Sequence, residues 1–160
     1  MTDNWVGISS LTKTSNNIIR GNFISRNIVG LELTTYYLPL ECYNNIVINN
    51  FIKRNRIGIE INEYSHHHIL MRNTIVSNII YGIFIKNSNN ITIKNNNFKS
   101  NLIFDSTFVN SDDNIWYNNY WNRPRFLPKV IFGYKKHNTL FIPWINIDNK
   151  PAMRVFGDIK

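Results

Sequence analysis

The chain has 160 residues, a formal net charge of +8, a hydrophobic fraction of 43% and one cysteine, Cys42. This length supports one domain with a single core and argues against two independent domains. One cysteine excludes an intrachain disulfide framework and a cysteine-based metal site, and the scattered positive charge favours solubility over a polyanion partner.

The N-terminal segment MTDNWVGISSLTKTSNN does not have the pattern of a secretory signal peptide, because it lacks a basic start and a continuous apolar run. No apolar run approaches the roughly 18 residues that a membrane-spanning helix needs, so no membrane span is expected. Either the protein stays inside the cell or the chain is a piece of a longer exported one, which leaves its localisation unknown.

A repeat begins near residue 21. Four segments align, and each has asparagine at its second and seventh positions and an apolar residue at its fourth: GNFISRN from Gly21, NNFIKRN from Asn49, RNTIVSN from Arg72 and NNNFKSN from Asn95. The first asparagine column is therefore Asn22, Asn50, Asn73 and Asn96, and the second is Asn27, Asn55, Asn78 and Asn101. Spacings of 28 and 23 residues between equivalent asparagines are typical of a solenoid.

Within each repeat, short alternating apolar stretches such as IVI, FIK and IGIEI predict three brief strands. Stacking one repeat on the next, about 4.8 Å apart, places equivalent residues directly above one another. We expect each column asparagine to occupy a tight corner in a left-handed backbone conformation and to hydrogen-bond the asparagines above and below it. Gly30, Gly58 and Gly82 are expected to form turns that reject a Cβ atom.

The repeat unit NNIxI, followed by the spaced asparagines and GIxI, resembles the right-handed parallel β-helix repeat of the NosD-like and pectate-lyase-like family, also called the carbohydrate-binding and sugar-hydrolysis domain. The resemblance covers roughly residues 5–122. It implies an all-β fold, a single-stranded right-handed parallel β-helix of about five coils over residues 1–122. Members of the family are usually exported or located at the cell surface.

The C-terminal segments NNYWNRPRFLPKVIFG at 118–133 and FIPWINIDNKPA at 141–152 resemble the closing part of family members, which predicts an aromatic and Pro-rich capping arm at 123–160. The aromatic residues expected to cover the end of the coil are Trp116, Tyr120, Trp121, Phe126, Phe132, Phe141 and Trp144. The alternative is that these rings stack on sugars. Residues 1–15 begin in mid-coil, which suggests a C-terminal fragment or a partner that covers that end.

Two sets of residues are candidates for ligand binding. Glu32 and Glu60 occupy equivalent positions in GLEL and GIEI and are predicted to point outward from neighbouring coils, in the manner of a retaining carboxylate pair. Repetition alone also produces such pairs, so a solvated surface is the favoured interpretation. Arg26 and Arg54 are also equivalent, and Lys53 and Lys99 share another column. Together with the nearby Arg20 and Lys94 and with Tyr36, Tyr37, Tyr64 and Tyr81 they form a possible groove for an acidic glycan, but an ordinary solvated face is the favoured interpretation of these basic residues too.

His66 and His68 in the HHH segment are weak candidates for a metal site. Two imidazoles fall short of the three or four ligands that a stable site needs, and His68 stands where other repeats have asparagine. We therefore expect no metal and no cofactor.

The sequence as a whole favours a non-catalytic module, a surface or carbohydrate-interacting scaffold whose partner is a polysaccharide and not a nucleic acid. The alternatives are a polysaccharide lyase, epimerase or hydrolase and a NosD-like maturation factor. An enzyme would need an acidic cluster with a basic partner on one face, which the sequence does not show. The oligomeric state is not indicated.

Overall fold

The computed structural model describes residues 1–36 and 40–157, and this part of the chain contains β-strands and no helix. The strands are, in chain order, β1 (Val6–Ser10), β2 (Ile18–Arg20), β3 (Phe23–Ser25), β4 (Val29–Thr34), β5 (Cys42–Tyr43), β6 (Ile46–Ile48), β7 (Phe51–Lys53), β8 (Ile57–Asn62), β9 (Ser65–His66), β10 (Ile69–Met71), β11 (Thr74–Val76), β12 (Tyr81–Lys86), β13 (Thr92–Lys94), β14 (Asn97–Lys99), β15 (Phe104–Val109), β16 (Ile115–Tyr117), β17 (Tyr120–Trp121), β18 (Lys129–His137) and β19 (Leu140–Asp148).

Successive coils stack into parallel sheets, as the repeat predicts, and the fold is a right-handed parallel β-helix of about five coils. The large sheet has the order β1-β4-β8-β12-β15-β18-β19, and only its last pair, β18 and β19, is antiparallel. Two five-stranded sheets form the other sides, β2-β6-β10-β13-β16 and β3-β7-β11-β14-β17. The short strands β5 and β9 form a fourth, two-stranded sheet.

The apolar column predicted from the repeat lies inside the coil. Ile52 pairs with Ile24 in the coil before and with Ile75 in the coil after, and Ile75 pairs with Phe98. All four side chains are fully buried. Vertical registry therefore places like residues on like residues, which makes the core a continuous aliphatic stack that ends in an aromatic ring.

The first asparagine column forms a ladder of side-chain hydrogen bonds. In each step the Nδ2 of one asparagine donates to the Oδ1 of the next, at 3.0 Å from Asn22 to Asn50 and from Asn50 to Asn73, and 3.1 Å from Asn73 to Asn96. Asn119 adds a further step, and its Nδ2 donates to Oδ2 of Asp148 at 3.1 Å. Because a carboxylate only accepts hydrogen bonds, Asp148 ends a ladder whose donors all point toward it.

The second column has the same design. It begins at Asn4, continues through the predicted asparagines to Asn101, and ends where Nδ2 of Asn101 donates to Oδ1 of Asp105 at 3.0 Å. Nδ2 of Asn122 donates to the other oxygen of Asp105 at 2.6 Å. Burial raises the pKa of Asp105, and the hydrogen bonds from these amides oppose that shift. Both ladders thus finish on an aspartate at the C-terminal end.

The prediction that the ladder asparagines themselves adopt the left-handed conformation is wrong. Left-handed φ angles belong to the residues just before them, which in the first column are Gly21, Asn49, Arg72, Asn95 and Asn118. The left-handed residue bends the chain, and the bend turns the next side chain into the corner where it can bond along the stack. Pairs such as Asn49–Asn50 therefore use asparagine for two different purposes.

The predicted role of the repeat glycines is also corrected. Gly30, Gly58 and Gly82 are the second residues of β4, β8 and β12 and not turn residues. A Cβ on Gly58 would lie 2.5 Å from the carbonyl oxygen of Gly82 and 3.0 Å from Nδ2 of Asn78. Close approach of the next coil, and not a left-handed φ, is what requires glycine at this position.

The unequal spacing of the first repeat has a simple cause. Seven residues separate β4 from β5, whereas two separate β8 from β9. The five extra residues fall between Thr34 and Cys42, and the ladders keep their registry on either side of this insertion. Tyr37 of the predicted groove lies outside the described residues.

The aromatic residues of the C-terminal segment differ in burial. Trp121 is buried and stacks on Phe98 with ring centroids 4.3 Å apart, and Trp116 is buried beside it. Phe126, Phe132, Phe141 and Trp144 are exposed. These four rings are therefore not part of the buried end of the coil, and the role of residues 123–160 as a capping arm stays a prediction.

Candidate functional site

A cavity of about 590 Å³ lies at the corner where the sheet of β3 and β7 meets the large sheet. We call this cavity the basic corner. It is lined by residues that flank the ladder asparagines of four coils: Asp3, Asn4, Trp5, Arg26, Asn27, Ile28, Arg54, Arg56 and Ile79. Because ladder asparagines point into the coil, their neighbours on either side must point out, and stacking brings those neighbours into two rows.

The basic corner is positively charged. The guanidinium of Arg26 forms an ion pair with Asp3 at 2.9 Å, and both side chains are more than half exposed. Within the described residues Arg54 and Arg56 have no ion pair. An exposed pair such as Arg26–Asp3 contributes little free energy, so an incoming anion can compete with Asp3.

An indole ring completes the basic corner, since the side chain of Trp5 is 77% exposed. The half-buried Ile28 and the exposed Ile79 add apolar surface beside it. Apolar and aromatic walls with a few charged groups are the usual composition of a site for a small or repeating ligand. The sequence analysis named Arg26 and Arg54, and the structure adds Trp5 and Arg56 to them.

Glu32 and Glu60 lie elsewhere, on the outer face of the large sheet. They are register partners in β4 and β8, as predicted. The predicted solvated surface is wrong for Glu32, which is only 8% exposed. Its carboxylate accepts hydrogen bonds from the hydroxyl of Ser9 at 2.9 Å and from that of Tyr36 at 3.3 Å. Neither glutamate lines the basic corner. The predicted ligand-binding residues therefore lie at two separate sites, the two arginines at the basic corner and the two glutamates on the large sheet.

Glu60 and Glu63 respond differently to their surroundings. Burial, with a smaller contribution from the nearby Glu32, raises the pKa of Glu60. Glu63 forms an ion pair with Lys86 at 2.6 Å, and the hydrogen bond from this lysine lowers the pKa of Glu63. The charge of Lys86 opposes the rise in the pKa of Glu60, but the ammonium of this lysine is bound to Glu63.

Substitution of these two glutamates by glutamine is expected to change stability in opposite directions. At pH 7 a charged Glu60 is disfavoured by burial, so Glu60→Gln raises the melting temperature, and the gain disappears as the pH falls through the raised pKa. Glu63→Gln lowers the melting temperature at pH 7, and the loss disappears as the pH falls below the lowered pKa. Thermal unfolding from pH 3 to 8 measures both, and shifts of the same sign would contradict the assignment.

Aromatic rings occupy the next coils of the same outer face. Tyr81 stacks with Phe84 at 5.1 Å and with Phe104 at 6.3 Å between ring centroids. With Phe132 and Tyr134 they line a cavity of about 250 Å³. The predicted groove of tyrosines and arginines is therefore not assembled, because Tyr81 lies here, Tyr36 contacts Glu32, and Tyr64 lines a different cavity with His66.

The two histidines are engaged in backbone hydrogen bonds. Nδ1 of His68 accepts from the backbone N–H of Asn45 at 3.1 Å, as an asparagine oxygen does in the neighbouring coil. His68 is fully buried, and this burial lowers its pKa to about 4. Nδ1 of the half-buried His66 accepts from the backbone N–H of Asn89 at 2.9 Å. His68 thus replaces asparagine in a third column, as the sequence predicted.

The sequence profile of the family described as periplasmic copper-binding protein (NosD) matches residues 1–131. The chain belongs to the NosD family. No curated protein matches this NosD-family chain. Within residues 1–36 and 40–157, the structure contains no helix long and apolar enough to cross a membrane.

Two solved structures resemble this NosD-family chain, and both are substituted forms of the periplasmic alginate epimerase AlgG. A single mutant is 26% identical over 68% of this chain and 24% of its own, with a TM-score of 0.59. A double mutant is 23% identical over 84% of this chain and 25% of its own, with a TM-score of 0.51, and that likeness supports the fold alone. The chain spans about a quarter of the length of these epimerase chains.

Proposed function

We propose that the chain is a non-catalytic β-helix module that binds an acidic polysaccharide at the basic corner. The observation that carries this proposal is the exposed indole of Trp5 beside Arg54 and Arg56, two guanidinium groups without a carboxylate partner in the described chain. Guanidinium groups bind carboxylates through two parallel hydrogen bonds. An indole offers a flat apolar surface for the face of a sugar ring.

The repeat makes this corner suited to a polymer. Trp5, Ile28, Arg56 and Ile79 follow equivalent asparagines of successive coils, so they form a row along the helix axis with a step of about 4.8 Å. Asp3, Arg26 and Arg54 form the row on the other side of the asparagines. A linear chain with regularly spaced carboxylates can meet a guanidinium at more than one step.

Two further observations support an acidic ligand. The net charge of +8 attracts polyanions over a distance set by the ionic strength. The structural neighbour AlgG is an alginate epimerase, and alginate is a polymer of uronic acids, which carry one carboxylate per sugar. For this chain the neighbour suggests a polysaccharide, and the unpaired arginines suggest that its sugars are acidic.

An enzyme is the second candidate, and the Glu32–Glu60 pair favours it. Two neighbouring carboxylates, one with a raised pKa, are the arrangement used for general acid and base chemistry on sugars. Lys86, the cation that acts on Glu60, is bound to Glu63. Because Lys86 is already bound to Glu63 and no other basic group in the described chain acts on the pKa of Glu60, we place binding before catalysis.

The family to which this chain belongs is described as copper-binding. The potential metal ligands in the described part of this chain are not arranged to bind copper. Within residues 1–36 and 40–157, no group of three or more His, Cys, Asp or Glu side chains could hold a metal ion. His66 and His68 each use Nδ1 as a hydrogen-bond acceptor, and Cys42 is buried. The proposed function therefore involves no step through copper, and the maturation-factor alternative has no support from these residues.

Calorimetric titration of the full chain with alginate oligosaccharides at low salt tests the proposal. Arg54→Asn and Arg56→Gln are each expected to weaken binding about tenfold or more, because each removes a charge-assisted hydrogen bond worth about 1.5–3 kcal/mol. Asparagine is chosen at position 54 because it tolerates the φ of 53° found there. The affinity of the unaltered chain is expected to fall steeply as salt is added.

The matched control is Arg20→Gln, which removes the same charge from an exposed arginine on another sheet. An equal loss of affinity in this control would show that net charge, and not the basic corner, attracts the ligand. Absence of binding to alginate oligosaccharides by the unaltered chain would reject the proposal. Unsaturated sugar ends or epimerised products in the same samples would replace it with the enzyme alternative.

A further inference from the structure

The hairpin of β18 and β19 projects from the large sheet. Each strand has nine residues, but only Gly133 and Tyr134 pair with β15. The last contact with the coil is the hydrogen bond from the backbone N–H of Lys136 to Oδ1 of Asn110 at 2.6 Å. Residues 137–142, including the two-residue turn Asn138–Thr139, have no strand-pairing or ion-pair partner in the described chain outside the hairpin.

The base of the hairpin is firmly anchored. Ile131 is buried in the core, and Asp148 is buried at the end of the first asparagine ladder. Asp148 also accepts a hydrogen bond from the indole N–H of Trp121 at 3.0 Å. A fixed base makes the projecting part a rigid extension of the sheet.

The exposed surface of the hairpin is apolar on both faces. Eight large side chains are between 37% and 65% exposed: Phe132, Tyr134, Leu140, Phe141, Ile142, Trp144, Ile145 and Ile147. The register places Phe132 opposite Ile145 on the outward face, and Lys135 opposite Ile142 on the other. In a hairpin whose outer face is exposed to solvent, apolar residues normally alternate with polar ones. The hairpin of β18 and β19 instead exposes apolar side chains on both faces, which is typical of an interaction surface.

The charge of the hairpin selects the partner. Residues 129–147 contain Lys129, Lys135, Lys136 and His137 and no aspartate or glutamate. Lys135 forms an ion pair with Asp112 of the coil at 2.7 Å, so Lys136, which has no ion pair in the described chain, is the lysine offered to an anionic partner. Nζ of Lys135 lies 4.0 Å from the centre of the Trp144 ring, and Nζ of Lys136 lies 6.0 Å from that of Phe141. Aromatic rings interleaved with lysines suit the boundary between anionic lipid headgroups and acyl chains.

A second copy of the chain is a poorer occupant of this surface. β19 is the edge of the large sheet, but Pro143 lies in its middle and has no N–H to offer a neighbouring strand. We propose that the hairpin 129–148 docks onto an anionic lipid surface, with Leu140 and Phe141 entering the headgroup–acyl boundary. This inference concerns a different surface from the basic corner and does not depend on polysaccharide binding.

Sedimentation of the full chain with vesicles of phosphatidylcholine containing about 30% phosphatidylserine tests the inference. We expect binding to these vesicles, weak binding to pure phosphatidylcholine, and a loss of about tenfold or more for the double variant Leu140→Ser/Phe141→Ser. Lys136→Gln is expected to weaken binding about fivefold, because one lysine near an anionic surface contributes roughly that factor. A blue shift of Trp144 fluorescence on vesicle addition gives an independent readout.

The matched control is the double variant Ile18→Ser/Ile115→Ser, which removes two exposed apolar side chains from another sheet and is expected to bind like the unaltered chain. Circular dichroism confirms that each variant is folded. Equal loss in the control, or equal binding to neutral vesicles, would overturn the inference. A dimer that dissociates on Leu140→Ser/Phe141→Ser, with no vesicle binding by the unaltered chain, would replace lipid by a second copy.

Discussion

Replacement of Asp148 by alanine is expected to lower the free energy of unfolding by about 3–5 kcal/mol, the usual cost of leaving buried partners of a charge unpaired. The carboxylate accepts hydrogen bonds from the backbone N–H groups of Asn118, Asn119 and Lys150, and from the side chains of Asn119 and Trp121. Alanine removes this acceptor from all of them, and of these donors the Nδ2 of Asn119 keeps a second acceptor, the backbone carbonyl of Ile93. Urea denaturation followed by circular dichroism measures the loss.

Two further variants make this result specific. Asp148→Asn keeps one acceptor oxygen but turns an amide toward N–H donors, so a loss about half that of alanine is expected. Asp113→Asn alters an exposed aspartate at a left-handed corner and is expected to change stability by less than about 0.5 kcal/mol. A small effect of Asp148→Ala, comparable with that of Asp113→Asn, would show that the ladder does not need a carboxylate at its end.

Substitutions of the neighbouring residues Asn49 and Asn50 are expected to differ strongly in their effect on stability. Asn50→Ala should lower the free energy of unfolding by about 2–4 kcal/mol, because two donors of Asn22 lose their acceptor and the backbone carbonyls of Ile19 and Ile48 lose a donor. Asn49→Gly should cost less than about 0.5 kcal/mol, because glycine adopts the φ of 56° without strain. Urea denaturation of the two variants side by side provides the measurement.

Asn49 forms the left-handed bend, and Asn50 makes the hydrogen bonds along the stack. This assignment of roles is contradicted if Asn49→Gly lowers the free energy of unfolding as much as Asn50→Ala does. It is also contradicted if Asn50→Ala is tolerated, since an amide column that contributes little could not hold the coils in registry. The pair is matched in residue type and position, so a difference in stability reflects the side-chain environment and not the site in the chain.

The fold was predictable because a solenoid repeats its constraints. Each coil must place apolar residues inside and amides at the corner, so the columns of Ile52 and Asn50 recur at a fixed spacing and are visible without an alignment. The ends of the ladders were not predictable in the same way. Asp105 and Asp148 occur once each, and nothing in a repeat indicates which residue will follow its last copy.

The candidate site was predicted only in part, for a related reason. The repeat identifies Arg26 and Arg54 as an equivalent pair, whereas it does not single out Trp5 and Arg56, because each differs from the other residues of its column. The available signal was the second asparagine column extended back by 23 residues to Asn4. Every residue beside an asparagine of that column points outward, and Trp5 and Arg56 hold such positions.

The pair Glu32 and Glu60 shows what registry leaves open. Alternation places both carboxylates on the outer face of the large sheet, but the burial of Glu32 depends on Ser9 in the coil before and on Tyr36 in an irregular loop. A residue such as Tyr36 has no equivalent position in the other repeats, so its contacts cannot be inferred from the repeat. The raised pKa of Glu60 likewise depends mainly on burial, which the repeat pattern does not fix.

The central claim is that acidic polysaccharide binds at the basic corner, and the indole N–H resonances of the four tryptophans test it most directly. Trp5 and Trp144 are exposed, whereas Trp116 and Trp121 are buried. Titration with a uronic acid oligosaccharide, with the Trp5 signal assigned from Trp5→Phe, is expected to shift the Trp5 resonance and leave that of Trp144 in place. A shift of Trp144 alone, or no shift of Trp5 at saturating ligand, would contradict the claim.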